Sequence, residues 1–125
     1  MVLRGAAWRW GPAVAWAALI LFLGSRPAAD LPLPAIPGLD KALHAAVYGV
    51  LGFLAVRGIG PPGPWRALLL GVAIGLSWGF LDEWAQSANP HRTAELGDLL
   101  ADVVGAAAGG WLAFRTSRVR ARSQV

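Results

Sequence analysis

The chain has 125 residues, of which 56% are hydrophobic and only 14% are charged, and its mean hydropathy is +0.52. A soluble domain is about 45–50% apolar and about 25% charged, and a small one needs polar residues to cover its large surface. The composition therefore excludes an ordinary soluble domain, and it also excludes a disordered chain, which would be poor in hydrophobic residues. Cysteine is absent, which excludes disulfides, thiolate zinc sites and a cysteine nucleophile.

Four apolar segments follow one another along the chain, and proline-containing stretches separate them. Each segment is close to the ~20 residues that a helix needs to cross a hydrocarbon core of ~30 Å. None of them alternates with the period of two that is typical of a barrel strand. We predict an all-α, integral membrane four-helix bundle that forms a single domain over residues 1–125. The predicted transmembrane helices are residues 8–24, 39–57, 65–85 and 96–114.

The first segment has a second interpretation, as a cleaved secretory signal peptide. Arg4 and Arg9 precede its apolar run, and the small residues Ala28 and Ala29 follow it, as in such peptides. Pro27, however, makes the candidate cleavage site a poor one. We therefore favour a first transmembrane helix that is retained.

The basic residues, which give the chain a formal net charge of +4, predict its orientation. Arginine and lysine accumulate in cytoplasmic segments, and one side of the predicted bundle carries only Arg26, Lys41 and Arg92. The other side has Arg4, Arg9, Arg57, Arg66, Arg115, Arg118, Arg120 and Arg122. We predict that both termini are cytoplasmic (N-in/C-in), in a multi-pass protein of the bacterial cytoplasmic (inner) membrane. The basic tail then flanks the lipid bilayer, and we predict no nucleic-acid partner.

Small residues recur every three or four positions along three of the predicted helices. Such faces allow helix backbones to approach closely in a membrane, and we predict that they hold the bundle together. The predicted packing residues are Gly49, Gly52, Gly71, Gly75, Gly79, Gly105 and Gly109.

Polar residues continue the same helix faces, since they lie three, four or seven positions from the small residues. In the N-in/C-in orientation they all reach the outer ends of their helices. Ionisable groups within a bilayer are costly and usually functional, so we predict one polar pocket that opens to the extracytoplasmic side. Its candidate residues are Lys41, His44, Tyr48, Asp82, Glu83, Gln86, Arg92, Asp98 and Asp102.

Structural pairing between helices is the alternative interpretation of these polar residues. Asp40 could cap the start of the second helix, and Asp98 in the first turn of the fourth would interact favourably with the helix dipole. His44 and Asp102 lie deeper in their helices, where neither explanation applies. We therefore favour a functional interpretation of the group as a whole.

The order and spacing of these motifs resemble the VanZ-like family. The resemblance rests on Asp40-Lys41-x-x-His44-x-x-x-Tyr48, Asp82-Glu83-x-x-Gln86, and Pro90-x-Arg92 with Asp98-x-x-x-Asp102-x-x-Gly105, over about residues 39–111. It implies a small bacterial membrane protein with about four spans, in a family named for a protein associated with low-level teicoplanin resistance. The family's biochemical activity is open. It often has Asn where this chain has Asp102, so the predicted site is more acidic here.

Three classes of function are open for the predicted pocket, and we favour the first. A binding protein would hold a polar headgroup, a cell-wall precursor or a peptide there, and the resemblance would extend this to susceptibility to teicoplanin-type glycopeptides. An intramembrane enzyme acting on a lipid-linked or envelope substrate would use His44 as general base and a carboxyl group as general acid. A small transporter or proton relay would need a polar path through the inner halves of the helices, which are rich in Gly and Ala. We predict no metal and no cofactor, because no tight ligand motif such as H-E-x-x-H is present.

Overall fold

The computed structural model describes residues 2–26, 33–60, 63–90 and 95–124. Four helices account for most of these residues, and no strand occurs within them. The helices are α1 (Val2–Gly24), α2 (Leu39–Ile59), α3 (Pro64–Ser87) and α4 (Leu96–Arg122). The predicted all-α fold is confirmed, and each helix is long and apolar enough to cross a membrane.

Local sequence signals explain where the helices start. α2 follows Gly38, whose φ of 79° is a left-handed conformation that glycine adopts without strain. α3 begins at Pro64, because proline fixes a helical φ and has no N–H to leave unpaired at the first helical position. α1 starts at Val2, earlier than the predicted residue 8, and continues through Pro12, which cannot donate a backbone hydrogen bond.

The end of α4 differs most from the prediction, since the helix continues to Arg122 and does not stop at residue 114. The prediction follows the end of the apolar run, but arginine has a high helix propensity and extends the helix beyond it. The hydroxyl groups of Thr116 and Ser117 also donate hydrogen bonds to carbonyl oxygens one turn back. The last two turns of α4 are therefore a basic helical extension that carries Arg115, Arg118, Arg120 and Arg122.

α4 packs against α2 through glycine positions on both helices. A Cβ atom at Gly105 would collide with the backbone carbonyl oxygen of Ala45, and one at Gly109 would collide with that of Gly49. The two backbones are therefore in direct contact, which only glycine permits at these positions.

α4 packs against α3 in the same way, and α1 lies on the other side of α2 and α3. A Cβ atom at Gly71 would lie 2.5 Å from the carbonyl oxygen of Ala106, and one at Gly75 would lie 2.7 Å from the Cα of Val103. α1 is attached differently, by hydrogen bonds from indole groups: Trp16 Nε1 of α1 donates to the carbonyl oxygen of Val47 at 2.9 Å. The small residues of α2, α3 and α4 thus form the tightest part of the interior, closest between α2 and α4, and α1 covers its edge.

Candidate functional site

Ionisable side chains gather where α2 and α4 begin and where α1 and α3 end. We call this end of the molecule the polar end, and we call the opposite end, with the basic extension of α4, the basic end. Every acidic residue within the described ranges lies at the polar end. These residues are Asp40, Asp82, Glu83, Glu95, Asp98 and Asp102.

Lys41 organises the outermost layer of the polar end. Its Nζ lies 2.9 Å from Asp40 Oδ2, 2.7 Å from Glu95 Oε2 and 2.7 Å from Asp98 Oδ1. The expectation that Asp40 caps α2 is wrong, because the residue at the cap is Gly38, no side chain bonds to that end, and Asp40 pairs with Lys41.

One carboxylate oxygen from each of these three residues lies within 4.8 Å of the others, a spacing that would also suit a metal ion. The ammonium group of Lys41 is hydrogen-bonded to all three of the residues that would be ligands. We therefore interpret this layer as a cluster centred on an ammonium group, in which the positive charge is supplied by the chain itself.

His44 and Asp102 form the layer below. His44 Nδ1 lies 2.8 Å from Asp102 Oδ1, and the carboxyl group of Asp102 is completely buried. The other ring nitrogen of His44 lies 3.8 Å from Asp98 Oδ2. Asp102 thus fixes the orientation of the imidazole ring through one nitrogen and leaves the second nitrogen on the side of Asp98.

A third group is centred on the buried carboxyl group of Asp82. Gln86 Nε2 donates to Asp82 Oδ2 at 3.0 Å, and the hydroxyl group of Tyr48 donates to the same oxygen at 3.4 Å. Gly24, at the end of α1, lies directly above this carboxyl group, since a Cβ atom there would collide with Asp82 Oδ1. All four helices therefore contribute to the polar end.

Several buried carboxylate oxygens have no hydrogen-bond donor within the described part of the chain. They are Asp82 Oδ1, Asp102 Oδ2, and both oxygens of Glu83, whose residue is only 9% exposed. Buried polar atoms in proteins are nearly always hydrogen-bonded, and an unsatisfied one is costly. Of these residues, only Asp82 also lines a cleft, where a donor group from another molecule would meet its carboxyl group.

A cleft of about 180 Å³ opens beside Asp82, between α1 and α2 at the polar end. Its walls are apolar, and its polar lining belongs to the groups just described. The apolar residues are Ile20, Leu23, Leu33, Leu43 and Val47. The polar residues are Asp40, His44, Tyr48, Asp82 and Gln86. The cleft therefore combines hydrocarbon-like walls with hydrogen-bonding groups.

Eight of the nine predicted pocket residues lie at the polar end, and Arg92 lies outside the described residues. Asp40 and Glu95 are not among the predicted pocket residues, although both pair with Lys41. The signal that could have indicated them is an acidic side chain at the start of a helix, since Asp40 lies in the first turn of α2 and Glu95 directly precedes α4. No sequence signal indicates Gly24, because nothing in the sequence of α1 shows that this glycine contacts Asp82 of α3.

Comparisons with protein-family models, with curated proteins and with solved structures find no match to this chain. The resemblance to the VanZ-like family therefore stays a prediction that rests on its motifs. The function has to be argued from the geometry of the polar end.

Proposed function

We propose that this chain is a multi-pass membrane protein of the VanZ-like type, in the cytoplasmic membrane of a bacterium. Four helices of sufficient length and apolarity support membrane insertion. The arginines of the basic end support an orientation with both termini in the cytoplasm. The polar end then faces outward, towards the cell envelope.

We infer that the polar end binds an envelope component, and that this component is lipid-linked with a headgroup that carries hydrogen-bond donors or positive charge. The observation that carries this proposal is the unpartnered oxygen of buried Asp82 beside a cleft with apolar walls. A donor on the headgroup would satisfy that oxygen, and the leucine walls would contact hydrocarbon. A link to teicoplanin-type susceptibility would follow if the component were a precursor of the cell wall.

The test compares two lipids whose headgroups differ only in the methylation of the ammonium nitrogen. Phosphatidylethanolamine has a primary ammonium group, whereas the choline of phosphatidylcholine has no N–H. We expect phosphatidylethanolamine to raise the melting temperature of the purified protein more than phosphatidylcholine does. Asp82→Asn should remove most of this difference, because it replaces a carboxylate acceptor by an amide.

Glu95→Gln is the matched control, since it removes one carboxylate from the same end but at an exposed position outside the cleft. We expect this variant to keep the preference for phosphatidylethanolamine. Equal stabilisation by the two lipids, or an equal loss in both variants, would contradict the proposal.

An intramembrane enzyme is the second candidate, because the pairing of His44 with Asp102 favours it. A carboxylate that orients one nitrogen of an imidazole while the ring lines a cleft is the arrangement of a general base. The test incubates proteoliposomes with a total lipid extract of a bacterial envelope and follows products by mass spectrometry. A product that forms with the wild-type chain and not with His44→Gln would favour the enzyme, and no product is expected for a binding protein.

A further inference from the structure

The surface between α3 and α4 changes from apolar to basic along its length. Its apolar part is a hollow of about 680 Å³ between the two helices. The lining residues of this part are Pro64, Trp65, Leu68, Val104, Ala107, Ala108 and Trp111. A second hollow, of about 400 Å³, is lined by Pro64, Phe114, Arg115, Arg118, Val119 and Arg122. Because Pro64 lines both hollows, they adjoin, and we call them together the α3–α4 groove.

Two of the three arginines of the α3–α4 groove lie over aromatic rings of their own helix. The guanidinium carbon of Arg115 lies 5.0 Å from the ring centroid of Trp111, and that of Arg118 lies 5.5 Å from that of Phe114. All the acidic residues of the described ranges are at the polar end, so these arginines have no carboxylate partner there. Guanidinium groups suit phosphate, because their N–H donors match its oxygens in pairs.

The dimensions of the groove match one leaflet of a bilayer. Val104 and Arg115 are eleven positions apart on α4, which at ~1.5 Å per residue corresponds to ~16 Å. Half of a hydrocarbon core of ~30 Å is ~15 Å. Trp65 and Trp111 flank the apolar part near the basic residues, at the depth where tryptophan is enriched in membrane proteins.

We propose that the α3–α4 groove binds one anionic glycerophospholipid. Its phosphate would contact Arg115, Arg118 and Arg122, and one acyl chain would lie along the apolar part beside Trp111. A lipid is favoured over a water-soluble phosphate, because the basic hollow continues into an apolar hollow that is long enough for an acyl chain. A water-soluble phosphate would leave that apolar hollow empty. The polar end takes no part in this binding, so the proposal is independent of the one above.

Tryptophan fluorescence provides the test, because two tryptophans flank the groove. The purified chain is titrated in detergent with phosphatidylglycerol or phosphatidylcholine, each with brominated acyl chains that quench nearby indoles. We expect saturable quenching with about one phosphatidylglycerol per chain, and much weaker binding of phosphatidylcholine. Arg115→Gln/Arg118→Gln should lower the affinity for phosphatidylglycerol by a factor on the order of 10 or more, since each basic residue near an anionic lipid is favourable.

Arg57→Gln/Arg120→Gln is the matched control, because it removes two positive charges from the same end. Arg57 and Arg120 line a different hollow, between α2 and α4. We expect this variant to bind phosphatidylglycerol within about twofold of the wild-type chain, since only general attraction is lost. An equal loss in both double variants, equal quenching by the two lipids, or displacement of the lipid by glycerol phosphate would overturn the proposal.

Discussion

Lys41 is the residue on which the outer layer of the polar end depends. Three carboxylates surround its ammonium group, and two of them come from the start of α4, Glu95 just before the helix and Asp98 in its first turn. Without the positive charge, Asp40, Glu95 and Asp98 would repel one another across the contact between α2 and α4. The residue therefore connects the beginnings of these two helices as well as balancing their charge.

We predict that Lys41→Met lowers the melting temperature of the purified protein, because the three carboxylates lose their common partner. The loss should be smaller at high salt, since screening weakens repulsion between groups near water. Lys41→Arg keeps the charge and is the control, with a melting temperature close to that of the wild type. The interpretation fails if Lys41→Met and the wild-type chain unfold at the same temperature at low salt.

Asp102 leads to a second prediction, because its buried carboxyl group uses only one oxygen in a hydrogen bond to a described residue. An asparagine oxygen would still accept a hydrogen bond from His44, and a buried charge would be removed. We expect Asp102→Asn to be within about 1 kcal/mol of the wild type in free energy of unfolding, and Asp102→Ala to be less stable by about 1–3 kcal/mol. Denaturant unfolding in detergent measures both values, and an asparagine variant less stable than the alanine variant would contradict this account.

Helical periodicity explains how much of this arrangement could be predicted from the sequence. The spacing of Lys41, His44 and Tyr48 fixes them on one face of α2, whatever that face contacts. Their partners could not be predicted, because a contact across two helices depends on the rotation and separation of both. Asp40 shows this limit. Its place at the start of α2 suits a helix cap, but its carboxylate pairs with Lys41 and does not bond to the helix end.

At the scale of the helices, the contact between α2 and α4 depends on the absence of side chains. The recurrence of small residues predicted which faces would pack, but not which carbonyl oxygen each glycine would face. Hydropathy predicts that each helix ends with its apolar run, and for α4 this end is eight residues too early. The backbone hydrogen bonds of a helix do not require apolar side chains, so the helix continues after the apolar run has ended.

We predict that Gly109→Ala destabilises the protein by about 1–3 kcal/mol, because the added methyl group would collide with the carbonyl oxygen of Gly49 and force α2 away from α4. Gly5→Ala makes the same chemical change within α1, where a Cβ atom would meet nothing within 4 Å apart from its chain neighbours. That control should be neutral or more stable by up to about 1 kcal/mol, since alanine favours a helix. Thermal unfolding in detergent measures both variants. Similar effects of the two changes would mean that the close contact is not important for stability.

At the scale of the whole molecule, the proposed orientation can be tested with single cysteines, because the chain has none of its own. Ala88, just after α3, and Ser123, just after α4, are both exposed and lie at opposite ends. We predict that a membrane-impermeant maleimide labels Ala88→Cys in intact cells and labels Ser123→Cys only after the membrane is permeabilised. The reverse pattern would invert the proposed orientation.

The separation of charge between the two ends makes the molecule an electric dipole along its long axis. In the proposed orientation its negative pole faces outward and its positive pole faces the cytoplasm. An energised bacterial membrane is negative inside, and transfer of one charge across it corresponds to about 2.3 kcal/mol per 100 mV. Inverting the protein would move its arginines outward and its carboxylates inward, both against the voltage. The membrane potential that respiration maintains would thus stabilise the proposed orientation of this protein over the inverted one.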